Sequence, residues 1–158
     1  MLRTGVKAPT FTLDDLAGGQ RSLKAILERG PVLLALYKIS CPVCQLTMPY
    51  LERIATGGAN SGSLQVIGIS QDDERATRRF LKSYGITMPT LLDREEDEYP
   101  VSNAFGITHV PSLFLVETDG TISHTVGGFC KRDLEALGRR AGVEPFGAED
   151  HVPEWKAG

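Results

Sequence analysis

The sequence has little cysteine: three residues in a chain of 158, too few for a framework of structural disulfides. It has no apolar run near the roughly 20 residues of a membrane-spanning helix. Nor does it have an excess of positive charge, and the formal net charge of -3 gives no reason to expect a nucleic acid or an anionic membrane as partner. The first seven residues lack the apolar core of a secretory signal. We therefore expect a cytoplasmic protein, or alternatively a periplasmic domain expressed without its signal.

What remains is the composition of one globular domain. Hydrophobic residues make up 41% of the chain and charged residues 23%, and the length suffices for a single core. Periodic patterns end near residue 142, and the segment after Val143 carries the only tryptophan, Trp155, with no regular spacing. We predict a domain over residues 1–142 followed by a C-terminal tail over 143–158.

The most informative stretch is Cys41-Pro42-Val43-Cys44, which follows the apolar run 32–37. The run is strand-like, whereas the apolar residues after it recur every three or four positions, which predicts a helix. Cys41 would then lie at a helix N-terminus, where unpaired N–H groups and the helix dipole lower the pKa of a thiol. Cys44, one turn on, is close enough to form a disulfide with it. Zinc usually needs a second such pair, which is absent, so the motif favours redox chemistry over a metal site.

The rest of the chain alternates strand and helix patterns. Strands are predicted over 32–37, 64–69, 89–92, 113–116 and 122–126, and helices after Ser22, from the Cys41 motif to Gly57-Gly58, from Asp72-Asp73 to Tyr84, near Gly106, and around Leu134, Leu137 and Ala141. The third helix should turn Ala76, Phe80, Leu81 and Tyr84 inward, and the acidic run 93–98 should be solvated surface. This order predicts a mixed sheet covered on both faces.

The motifs together resemble the thioredoxin fold. The resemblance is carried by the Cys41 motif after a buried strand, Pro49 in the next helix, Val110-Pro111, and a hairpin with Gly127 before a last helix. The opening Ala8-Pro9-x-Phe11-x-Leu13 and the Gly18-Gly19 turn resemble the TlpA/ResA branch and the related peroxiredoxins. The resemblance covers roughly residues 5–142. It implies an α/β thioredoxin fold with a central mixed sheet, helices on both faces and an N-terminal extension.

The resemblance also implies a function, that of a thiol–disulfide oxidoreductase without a cofactor or metal. Cys41 would attack a partner disulfide and Cys44 would resolve the mixed disulfide. Val110 and Pro111 would be joined by a cis peptide bond beside the dithiol, where an extended partner can pair with the backbone. The implied partners are protein disulfides or dithiols and an unidentified reductant or oxidant.

Three positions depart from the family pattern. Ala35 and Thr47 stand where thioredoxin and ResA-like proteins carry carboxylates that help to move protons, and Ser40 replaces the tryptophan before the first cysteine. Proton transfer would then use water, Lys38 or another group. Lys38 is therefore a candidate for tuning the dithiol.

His109 precedes Val110-Pro111 and is a second tuning candidate, because an imidazolium near Cys41 would stabilise its thiolate. It also resembles in position the metal-ligand histidine of Sco-type copper proteins. Two alternatives therefore stay open: a Sco-like copper-binding protein using both cysteines and His109, and a peroxiredoxin-like peroxidase. The peroxidase active site of that family has a threonine three residues before its cysteine, and for Cys41 that position is occupied by Lys38. Cys130 is either a small half-buried residue or an accessory thiol.

Overall fold

Nine strands and five α-helices build the fold in the computed structural model, which describes residues 1–158. In chain order these are β1 Thr12–Asp15, β2 Gln20–Ser22, α1 Leu23–Leu27, β3 Val32–Tyr37, α2 Pro42–Ser61, β4 Gln65–Ser70, α3 Glu74–Tyr84, β5 Thr90–Leu92, α4 Pro100–Ala104, β6 Ser112–Val116, β7 Ile122–Gly127, β8 Phe129–Cys130, α5 Lys131–Arg140 and β9 Trp155–Lys156. Seven strands form one mixed sheet in the order β2-β1-β5-β4-β3-β6-β7, and β8 pairs with β9. No helix is long and apolar enough to cross a bilayer.

Strand β3 is the centre of the sheet. It pairs parallel to β4 and antiparallel to β6, so that Ala35 lies between Gly68 and Leu113. All six residues of β3 are buried, because alternate side chains enter two cores. One core lies under α2 and α5, and the other under α1 and α4. The predicted mixed sheet with both faces covered is confirmed.

Helices α1 and α3 begin directly after Ser22 and Asp73, the capping residues from which their starts were predicted. The Ser22 hydroxyl accepts a hydrogen bond from the Ala25 N–H at 3.1 Å, and the Asp73 carboxylate accepts one from the Ala76 N–H at 2.7 Å. Each bond satisfies an N–H group that has no partner within its own helix.

Helix α2 passes the predicted stop at Gly57-Gly58 and ends at Ser61. Its glycines serve close packing: a methyl group added at Gly58 would overlap the Leu64 carbonyl oxygen, and one at Gly57 would overlap the Val143 side chain. The helix stops where Gly62 takes a left-handed conformation with φ 69°.

Two predictions about burial were wrong. In α3, Thr77 is buried and Tyr84 is 40% exposed, since the inner face of the helix is rotated from the predicted one. Asp93 is not solvated but completely buried. Its carboxylate accepts hydrogen bonds from the Val101 N–H, the Ser102 N–H and the Ser102 hydroxyl at 2.6–2.9 Å, which fixes the start of α4.

The tail after α5 packs onto the domain. Val143, Phe146 and Val152 lie against the core under α2 and α5. The Asp150 carboxylate forms an ion pair with Arg53 at 2.7 Å, and β9 then adds antiparallel to β8.

Candidate active site

Cys41 is the N-cap residue of α2. Pro42 occupies the first turn, and the Cys41 backbone is extended, so its side chain turns back over the helix start. Its sulfur accepts a hydrogen bond from the Cys44 N–H at 3.3 Å. The thiol is half-buried, and it occupies the N-terminal position that the sequence predicted.

Cys44 lies beneath it, with no exposed surface. Burial raises the pKa of the Cys44 thiol far above its usual range, and the backbone N–H of Lys38 opposes that shift by hydrogen bonding to the sulfur. The charges of Cys41 and Asp72 raise the Cys44 pKa further. The two thiols are therefore unequal: one is reachable, and the other is shielded and holds its proton.

Val110 borders the exposed thiol. The Cys41 S–H donates to the Val110 carbonyl oxygen at 3.4 Å, and the Val110–Pro111 peptide bond is cis, as the sequence predicted. The Val110 N–H has no hydrogen-bond partner within the chain, whereas the Pro111 carbonyl accepts from the Gly128 N–H at 2.9 Å. The structure thus brings together Cys41, Cys44, Val110 and Pro111.

The two tuning candidates lie at the edge of this site. Lys38 acts through its backbone, whose carbonyl accepts from the Cys41 N–H at 3.2 Å, and its side chain forms no ion pair or hydrogen bond. His109 is exposed, its ring contacts Gly127, and its hydrogen-bond partner is the Thr108 hydroxyl at 3.2 Å. No three His, Cys, Asp or Glu side chains lie close enough to share a metal ion, so the ligand set of the copper alternative is not assembled.

Asp72 and Tyr37 belong to the site and were missed as functional candidates. The Asp72 carboxylate accepts from the Ile39 N–H at 2.7 Å and so holds the loop before Cys41. Tyr37 is completely buried, and its hydroxyl is the one buried side-chain polar atom without a hydrogen bond. One signal in the sequence could have found Asp72. It follows β4 as Cys41 follows β3, and the carboxyl ends of these two parallel strands lie at the same edge of the sheet.

Cys130 lies apart from the dithiol, at the start of α5 and opposite Trp155 of β9. Its side chain makes no capping hydrogen bond, and the Asp133 carboxylate three residues on pairs with His124 at 3.1 Å. Burial raises the pKa of the Cys130 thiol.

Comparisons with known proteins agree with this site. Residues 4–125 match the AhpC/TSA family. The chain belongs to the AhpC/TSA family. Among curated relatives, the thiol-disulfide oxidoreductase ResA of Halalkalibacterium halodurans is 29% identical over 138 residues, which cover 85% of this chain and 75% of the relative. The function that the sequence predicted, thiol–disulfide exchange, is the one this relative's name gives.

Solved structures show the same fold. The thioredoxin domain of a thiol-disulfide oxidoreductase from Bacteroides vulgatus superposes with a TM-score of 0.77 at 24% identity, covering 89% of this chain and 98% of that one. The peroxidoxin BcpB from Mycobacterium tuberculosis superposes with a TM-score of 0.71 at 24% identity, covering 89% and 94%. The predicted thioredoxin fold is confirmed.

Proposed function

We propose that this AhpC/TSA-family chain is a thiol–disulfide oxidoreductase that exchanges electrons with the disulfides or dithiols of other proteins. One observation carries the proposal: a reachable thiol at a helix N-terminus lies directly over a shielded thiol one turn away. The first can attack a partner, and the second is placed to displace that partner afterwards.

The reaction takes two exchange steps. The Cys41 thiolate attacks one sulfur of the partner disulfide, a Cys41–partner bond forms, and the other partner sulfur leaves as a thiolate that takes a proton from solvent. Cys44 then loses its proton and attacks the Cys41 sulfur, so the Cys41–Cys44 disulfide forms and the second partner sulfur leaves. The partner gains two electrons, and the chain is oxidised by two. A dithiol reductant of another protein must restore it.

The backbone at Val110 supports a peptide-like partner. Its carbonyl oxygen touches Cys41, and its N–H is unpaired within the chain. An extended segment that pairs with this backbone would bring its own cysteine toward the Cys41 sulfur.

Cysteine variants test the assignment. Reduction of insulin disulfides should be lost in Cys41→Ser. Cys44→Ser should accumulate mixed disulfides with partner proteins, because nothing is left to displace them. In the reduced wild type at pH 7, iodoacetamide should modify Cys41 before Cys44, since only the first is reachable and the pKa of the second is raised. Faster labelling of Cys44 would reverse the two roles.

A second candidate is a peroxidase, which membership of the AhpC/TSA family favours. Peroxide would oxidise the Cys41 thiolate to a sulfenic acid with release of water or hydroxide, and Cys44 would then form the disulfide and release a second water. Consumption of hydrogen peroxide and reduction of insulin, measured with the same reductant, compare the two. A rate with peroxide at least tenfold above that with insulin would favour the peroxidase.

A further inference from the structure

The C-terminal tail consists of an anchored part and an exposed end. Residues 143–152 are fixed by the packing of Phe146 on Tyr50, with ring centroids 4.6 Å apart, and by the ion pair of Asp150 with Arg53 at 2.7 Å. Residues 154–158, which we call the strap, are exposed throughout. They extend from that anchor toward the dithiol.

Few bonds hold the strap. It pairs with β8 through Cys130 with Trp155 and Phe129 with Lys156, and the Lys131 N–H donates to the Glu154 carbonyl at 3.0 Å. One exposed ion pair, from the Lys131 ammonium to the Glu154 carboxylate at 3.8 Å, adds to these bonds. Its lone tryptophan is 63% exposed and so adds little burial. A two-residue ladder with exposed side chains is a segment of low local stability.

The end of the strap lies on the backbone that borders Cys41. A methyl group added at Gly158 would overlap the Val110 carbonyl oxygen and lie 2.8 Å from the His109 ring. One at Gly128 would overlap the Lys156 carbonyl oxygen and lie 2.8 Å from the Gly158 nitrogen. The oxygen of Val110 is also the acceptor of the Cys41 S–H. The strap therefore covers the edge where an extended chain would approach the thiol, without forming a hydrogen bond to Val110.

We propose that residues 154–158 compete with the extended segment of a partner protein for the backbone edge at Val110. The inference rests on the proposed function, and it predicts different behaviour for protein disulfides and for small disulfides. A protein disulfide must displace the strap to pair with Val110, whereas a small disulfide reaches the Cys41 sulfur without using that edge. Because a fraction of the chains has the strap seated, the apparent affinity for protein substrates is the intrinsic affinity multiplied by the fraction of chains in which the strap is open.

A chain that ends at Pro153 tests the competition. If the strap is open about a tenth of the time, its removal should raise kcat/KM for insulin disulfides about tenfold. The rate with the small disulfide 5,5′-dithiobis(2-nitrobenzoate) should stay within about twofold. Lys156→Ala, which keeps the strap backbone, is the matched control and should behave as the wild type. An equal change for both substrates, or slower insulin reduction in the shortened chain, would overturn the proposal.

Fluorescence tests the movement of the strap independently of the proposed catalytic activity. Trp155 is the only tryptophan, so tryptophan emission reports on the strap in a chain that carries residues 154–158. Mixed disulfides can be prepared on Cys41 of Cys44→Ser, one with a ten-residue cysteine peptide and one with 2-mercaptoethanol. The peptide adduct should shift the Trp155 emission and lower its anisotropy, and the small adduct should not. This comparison needs no turnover, so it holds even if insulin reduction is absent. Identical emission from both adducts would show that the strap does not move.

Discussion

Replacing Tyr37 with phenylalanine should stabilise the protein. The Tyr37 side chain is completely buried, and its hydroxyl has no hydrogen-bond partner. The Thr90 and Ser70 hydroxyls are near enough to oppose the rise that burial causes in the Tyr37 pKa, but neither forms a hydrogen bond of acceptable geometry with it. A buried hydroxyl without a partner costs about 1–3 kcal/mol in proteins. Phenylalanine removes this cost and keeps the ring packed against Phe80 at 5.7 Å.

The expected gain is about 1 kcal/mol in the free energy of unfolding, after allowance for the small void left by the oxygen. For a domain of this length that corresponds to a rise in Tm of about 2–4 °C, and to a urea midpoint higher by about 0.5 M. Both should be measured on the reduced protein. Insulin reduction should stay within about twofold, because the hydroxyl has no hydrogen bond to either sulfur.

Tyr84→Phe is the matched control, since Tyr84 is 40% exposed and its hydroxyl can form hydrogen bonds to water in the folded protein. Its unfolding free energy should change by less than about 0.5 kcal/mol. A loss of 1 kcal/mol or more in Tyr37→Phe would refute the reasoning, because it would mean that the hydroxyl has a partner in solution. A tenfold loss of insulin reduction with unchanged stability would instead give the hydroxyl a part in the chemistry at Cys44.

Three further outcomes are expected. Cys130→Ser should keep insulin reduction within about twofold, or ~0.4 kcal/mol in barrier, since this thiol lies on β8 under the tail; a tenfold loss would make it a working thiol. His109→Ala should lower the midpoint potential, measured against glutathione, by ~10–30 mV, because an imidazolium near Cys41 stabilises the thiolate and so the reduced form; an unchanged potential would leave the ring without a tuning role. The hydrogen bond from Arg140 lowers the pKa of Glu117, so this pair stabilises the fold above the unfolded carboxyl pKa of about 4.3 and the effect is lost as the pH falls through the lowered value. The Tm difference between wild type and Glu117→Gln should therefore be present at pH 7 and vanish in acid; a difference independent of pH would contradict the assignment.

The parts of the fold that were predicted correctly depend on local signals. The run 32–37 is apolar throughout because both of its faces are buried, and strand β3 has the predicted bounds. Ser22 and Asp73 cap helices through bonds that reach only three residues along the chain. The position of Cys41 at the start of α2 follows from the strand before it and the helical spacing after it.

The parts that were missed depend on neighbours far along the chain. Asp93 lies in an acidic run that has the composition of a surface, and its burial is favourable only because two N–H groups of α4 and the Ser102 hydroxyl donate hydrogen bonds to its carboxylate. Asp72 is one of two adjacent aspartates that can cap α3. Tertiary structure divides their roles, because Asp73 caps the helix while Asp72 turns back to the Ile39 N–H on the loop before Cys41. No local pattern distinguishes the two.

The position of the tail is determined by residues outside it. A glycine inside a helix costs about 1 kcal/mol relative to alanine, and the obvious interpretation of Gly57-Gly58 is a helix end. Yet a methyl group at Gly57 would overlap Val143, and one at Gly138 on α5 would lie 2.8 Å from the Val143 carbonyl oxygen and 2.6 Å from Pro145. The two glycines therefore mark where another segment crosses α2 and α5. A segment that crosses there is carried past Phe129 to the edge of β8, which is how a tail without periodicity comes to end beside Val110 and the thiol of Cys41.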